Sequence, residues 1–152
     1  MGNAIKPGIK GILTGGIAGA ILHKAVADMV KTKIFVSFDF DNDRVLKEFI
    51  IGQSKLKDSP FEIVDLSLKE AVAEKDWPDK ARRAISRSEM VIVLVGEKTY
   101  KAQGVLKEVK MARDLDKKII QMIGYKTGDY TRVPDAGALY RWNWENLKKL
   151  LS

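Results

Sequence analysis

The run MVIVLV at residues 90–95 constrains this chain more than any other stretch. Six consecutive apolar residues suit a central strand covered on both faces, which is the habit of parallel sheets. Three further short runs rich in β-branched residues share its character: IFVSF at 34–38, FEIVDL at 61–66 and KIIQMI at 118–123. Helical patterns separate them, and strand–helix alternation predicts an α/β fold with a parallel sheet between helical layers and right-handed crossovers. A weaker fifth run, ALYRWNW at 138–144, leads into ENLKKLL, an amphipathic helix that Asn143 is placed to cap. The expected architecture is a three-layer, flavodoxin-like sheet of about five strands, with ligands beyond the carboxyl ends near the reversal of strand order.

The available chemistry is narrow. Zero Cys and a single His, His23, exclude thiolate nucleophiles, cysteine zinc sites, histidine triads and most histidine metal sites. No metal is therefore expected, and reaction must run on carboxylates, hydroxyls, amines or backbone. The net charge is +7, but residues 1–33 carry +4 of it with five Lys and one Asp, leaving +3 on the rest. The basic residues of the main body, such as Arg82, Arg83 and Arg87, are interleaved with acids and lack aromatic neighbours, so no nucleic-acid partner is expected.

The chain divides into residues 1–32, a glycine-rich apolar N-terminal helix or extension, and residues 33–152, the α/β domain. Six of the twelve Gly fall in the first part, and Gly11, Gly15 and Gly19 recur every four residues, forming a flat helical stripe that admits close packing. The uncharged run 11–22 would reach about 18 Å as a helix against a bilayer core of about 30 Å, too short to span alone. Two readings follow: a helix packed on its own domain or on a copy of itself, or a segment in membrane contact. The expected location is the cytoplasm, with or without membrane association.

The strand ends hold the candidate ligands. After the first strand, Asp39, Asp41 and Asp43 stand within five residues; turn and cap chemistry explains Asp43, while Phe38 and Asp39 lie where a ligand would bind. The connection SLKEAVAEKDWPDK at 67–80 holds Trp77 and Pro78, with Pro78 suited to the start of a helix and Trp77 either packed on the sheet or exposed on an interaction surface.

The helix after MVIVLV carries the sharpest signal. With Val105 at zero and about 100° per residue, Val109, Ala112, Leu115 and Met111 fall at about 40°, 340°, 280° and 240°. Glu108 falls at about 300°, inside that apolar arc, while Lys107, Lys110, Arg113, Asp114 and Lys117 take the opposite side. No residue three or four away offers it a helical ion pair. An inward carboxylate without a local partner is costly unless a site uses it; the alternative is a first-turn residue held by the helix dipole at the sheet edge. Gly104, one turn earlier, leaves room above the carboxylate.

Together these segments resemble the TIR (Toll/interleukin-1 receptor) domain superfamily, and most of all its bacterial branch, which includes the TIR proteins of the Thoeris antiphage system. KIFVSFDFDND resembles the branch's first-strand motif and DSPFEIVDLSLKEA its second strand and following loop. ARRAISRSEMVIVLVGEKTYKAQGVLKEVKMA resembles its third strand and glutamate-bearing helix, and WNWENLKKLL its ending. The resemblance runs from about residue 31 to residue 152. The twelve-residue step from Gly96 to Glu108 carries the family's catalytic glutamate onto Glu108. Ala102 stands where the family usually has serine, and Gly104 and Val105 replace its common Trp-Cys pair.

The resemblance implies an enzyme that cleaves the nicotinamide–ribose bond of NAD and releases an ADP-ribose-derived messenger, linear or cyclic, in antiphage defence. NAD would be substrate, with no cofactor. Glu108 would stabilise the ribose cation, Phe38 and Asp39 would flank the nucleotide, Gly96 would let backbone approach it, and Trp77 and Tyr100 would stack. Such domains self-associate, and the Gly11/Gly15/Gly19 stripe could add a contact. Two alternatives stand beside this reading: a non-catalytic TIR scaffold, favoured by Ala102, and a receiver-like phosphoacceptor built on Asp39, Asp41 and Lys126.

Overall fold

A computed structural model of the chain describes residues 31–64 and 75–151. The glycine stripe of residues 1–30, the end of the second expected strand at 65–66 and most of the connection before Trp77 lie outside the described residues.

Five strands form one wholly parallel sheet: β1 (Thr32–Phe38), β2 (Phe61–Ile63), β3 (Met90–Val95), β4 (Lys118–Ile123) and β5 (Leu139–Arg141), in spatial order β2-β1-β3-β4-β5. Helices α1 (Arg44–Ser54), α2 (Trp77–Arg87), α3 (Gln103–Asp114) and α4 (Trp144–Leu151) cover it. The chain runs from β1 out to β2 and returns past β1 to β3, so the strand order reverses between β1 and β3.

Alternation along β1 divides the core. Ile34, Val36 and Phe38 point to one face, where they meet Leu46 and Ile50 of α1 and Leu147 and Leu151 of α4. On the other face Phe35 and Val91 pack on Ala81, Ala84 and Ile85 of α2 and Ala112 of α3, and Val93 and Val95 on Val105 and Val109. Every residue of β3 is buried, as its unbroken apolar run requires.

Local chemistry explains the boundaries. β1 begins two residues before the apolar run because Thr32 donates its backbone N–H to Pro60 O and its hydroxyl to Leu151 O, tying the last helix to the first strand. β2 is shorter than its run, although Val64 N–H still bonds Ile34 O. The fifth run pairs only over Leu139–Arg141, since Asn143 turns away to cap α4, accepting the Asn146 N–H at 2.8 Å. Helix α2 starts one residue before Pro78, whose missing N–H costs nothing in a first turn.

One buried residue went unread in the sequence. Gln121 of β4 lies at zero exposure and clamps the β4–β5 connection: its amide nitrogen donates to Val133 O (3.1 Å) and Gly137 O (3.0 Å), and its oxygen accepts Val133 N–H (2.7 Å). Gly137 has φ +80°, and a Cβ there would strike the Ile119 carbonyl. Gln121→Leu keeps the volume but removes the buried partner of the Val133 N–H and C=O, while Gly137 O keeps its bond from Arg132, so a loss of about 2 kcal/mol in unfolding free energy is expected. Urea titration measures that loss, and faster exchange of the Val133 amide locates it.

Candidate functional site

Glu108 sits on the buried stripe of α3 with Val105, Val109 and Ala112, at zero exposure. Its Oε1 accepts the Ser37 hydroxyl at 2.6 Å. Ser37 is also at zero exposure and is the penultimate residue of β1, on the strand that flanks the reversal of order. A carboxylate and a hydroxyl thus meet beneath the carboxyl end of the sheet, where ligands of such folds bind. The inward placement read from the helical wheel holds, and the alternative of a first-turn, edge-exposed glutamate falls: α3 begins at Gln103, so Glu108 lies in the second turn, fully inside.

An aromatic from another element approaches the same helix. Trp77, first residue of α2, is half-buried against the α2–α3 layer, and its Cζ2 lies 4.0 Å from the position a Cβ on Gly104 would take. The Lys107 ammonium lies 6.0 Å from the same indole. Ser37, Glu108, Gly104 and Trp77 therefore share one region around the N-terminal half of α3.

The remaining candidates go elsewhere. Phe38, one residue on from Ser37, turns to the opposite face and fills the α1/α4 core instead of flanking a ligand, as strand alternation dictates. Asp39 organises the turn after β1: its carboxylate accepts Asn42 Nδ2 (2.6 Å) and Asp41 N–H (3.2 Å), and its carbonyl accepts Asp43 N–H. Tyr100 is exposed on the one-turn 3₁₀ helix Thr99–Lys101. Lys126 lines a cavity with Phe49 and Trp142, while the Asp39 carboxylate is engaged by Asp41 and Asn42 of its own turn.

Gly96 makes its close approach to the chain itself. A Cβ there would strike both Asp43 carboxylate oxygens, so the space expected to admit a nucleotide holds Asp43. Asp43 occupies the position before α1, yet its carboxylate caps nothing. It accepts Tyr125 Oη–H at 2.6 Å and the Thr99 hydroxyl at 3.3 Å, while Thr99 Oγ1 accepts Gly96 N–H at 2.7 Å. Tyr125 stacks on Tyr130, with centroids 5.7 Å apart, and Arg141 holds the loop through Tyr125 O and Gly128 O. Asn42, Asp43, Glu97, Lys98 and both tyrosines line a cavity of about 350 Å³. This network joins loops far apart in sequence, and only the Asp-rich turn and Gly96 hinted at it. Among the described residues no three His, Cys, Asp or Glu gather to hold a metal ion.

Burial raises the Asp43 carboxyl above its usual 3.8, outweighing the Tyr125 and Thr99 hydrogen bonds, and burial together with Asp43 raises the Tyr125 phenol. The folded chain thus keeps the Asp43 proton to higher pH than the unfolded chain. Its contribution to stability is full below 3.8 and is lost as pH rises through the folded value. Asp43→Asn removes that titration, so the urea midpoint of the variant relative to the native chain should rise as pH increases above about 4.

Residues 35–127, more than half of the chain, match the family model described as Thoeris protein ThsB, TIR-like domain. Among solved structures, the CMP N-glycosidase BcmB of Clostridium botulinum superposes with a TM-score of 0.51 at 18% identity, covering 78% of this chain and 96% of that one. A prokaryotic SEFIR domain superposes with a TM-score of 0.51 at 20% identity, covering 78% and 92%. These likenesses identify a TIR/SEFIR-like fold. Among curated proteins, none matches the chain.

Proposed function

The chain belongs to the Thoeris ThsB TIR-like domain family, and from that membership we propose that it cleaves the nicotinamide–ribose bond of NAD to make an ADP-ribose-derived signal in cytoplasmic antiphage defence. The observation that carries this reading is the buried Glu108 carboxylate, held by Ser37 at the reversal point of the sheet. In the proposed step the C1′–N bond breaks, its electron pair leaves with neutral nicotinamide, and the ribose becomes an oxocarbenium ion. Negative charge at Glu108 stabilises that cation and orients a ribose hydroxyl. Water then gives ADP-ribose, or a hydroxyl of the same nucleotide gives a cyclic product, with one proton released in either case. A CMP N-glycosidase of the same fold breaks the same kind of bond.

Trp77 is suited to stack on the leaving base from its place beside Gly104. With Glu108 at zero exposure, turnover requires that whatever covers the carboxylate move aside. Self-association through TIR surfaces would supply such a trigger, with the segment carrying Gly11, Gly15 and Gly19 adding a protein or membrane contact. The same burial, with Ala102 in place of the family's usual serine, favours the second reading, a scaffold that assembles without reacting.

Mass spectrometry of small molecules from stimulated cells expressing the chain separates the readings, beside Glu108→Gln and a deletion of residues 1–31. NAD loss and a new ADP-ribose species are expected in the native chain, and a fall of about 100- to 1000-fold in Glu108→Gln. Loss of CMP instead of NAD would reassign the base. An assembled chain with an intact phenotype that consumes neither nucleotide would establish the scaffold.

A further inference from the structure

We infer that Ser37 is the positioning residue of the Glu108 carboxylate, an inference that rests on the reading of Glu108 as the carboxylate of a nucleotide-cleaving site. Ser37 is anomalous where it stands. Ser37 lies in register with the fully buried Val93 of the central strand, and its strand neighbours Phe35, Val36 and Phe38 are core residues. A small hydroxyl there fills less space than valine and must find a hydrogen bond in dry surroundings. It finds Glu108 Oε1 across 71 residues of sequence, at 2.6 Å.

At that length the hydroxyl bonds the carboxylate oxygen directly. Such a bond sets the position of one carboxylate oxygen of Glu108. Glu108 gains little of this from its own helix: the residues one turn away on its face are Gly104, Val105, Met111 and Ala112, none with a side-chain donor. The hydroxyl is anchored where β1 pairs with the central strand β3 over Ile34–Phe38, the rigid support that a precisely aimed carboxylate needs. A first-strand hydroxyl thus sets where negative charge stands, and the same strand runs directly into the Asp39 turn.

The test uses two variants of nearly equal shape in the full chain, Ser37→Thr, which keeps the hydroxyl, and Ser37→Val, which deletes it. In NAD cleavage by the assembled protein, Ser37→Val should lower kcat roughly 10- to 100-fold with KM little changed, while Ser37→Thr should stay close to the native rate. Urea midpoints verify that both are folded, and Ser37→Ala replaces the valine variant if it is not. Equal kcat for the valine and threonine variants would overturn the inference while leaving the nucleotide reading intact. The Glu108 carboxyl carbon, observed by 13C NMR without substrate, supplies a readout independent of turnover. Its shift should move in Ser37→Val and hold in Ser37→Thr. If the native chain cleaves no nucleotide but the carbon responds in this way, the pairing stands and the nucleotide reading falls; a carbon indifferent to both variants sinks the pairing itself.

Discussion

A strand with no polar face cannot lie at a surface, and β3 imposes that condition on everything around it. Its six buried residues need strands on both edges and helices above and below. Parallel pairing with β1 and β4 satisfies the edges, and the crossovers demanded by parallel pairing deliver the helices. Helix α3 is one of these crossovers, so the chain that covers Val93 and Val95 with Val105 and Val109 also sets Glu108 beside the strand end. Core and candidate site are therefore two uses of one helical face.

Within this apolar frame the buried polar residues act as ties. Ser37 and Glu108 join β1 to α3, Gln121 joins β4 to the connection ahead of β5, and Asp43 joins the start of α1 to the turns after β3 and β4. In each case a polar group in dry surroundings is acceptable because its partner is fixed by a rigid element. Two of the three ties converge at the carboxyl end of the sheet, which makes that end specific in shape at the expense of freedom to rearrange.

The strands were legible because burial on both faces leaves a continuous apolar run, and Glu108 because helical periodicity shows a charge on the wrong side of a helix. Both signals are local. Gln121 gave no sign, since a polar residue in KIIQMI is equally consistent with an edge strand, and its meaning depends on carbonyls twelve and sixteen residues away. Asp43 suited a helix cap by position, but its carboxylate is drawn to Tyr125, 82 residues on. Position at the strand end pointed to Phe38, and only the phase of the pleat sends Phe38 to the core and its neighbour Ser37 to Glu108. Ser37 could have been noticed as the one hydroxyl within the apolar run IFVSF, but its partner could not.

The contact between Gly96 and Asp43 bears on how such a chain can diverge. Any residue other than glycine at 96 brings a Cβ into the Asp43 carboxylate, while shortening Asp43 strands the hydroxyls of Tyr125 and Thr99. Neither position can drift alone, and a lineage must change both, or reshape the loop that carries Tyr125, before either substitution is tolerated. The rim of the sheet would therefore evolve in steps of several residues at once, so that relatives should fall into discrete types at these positions instead of a continuum.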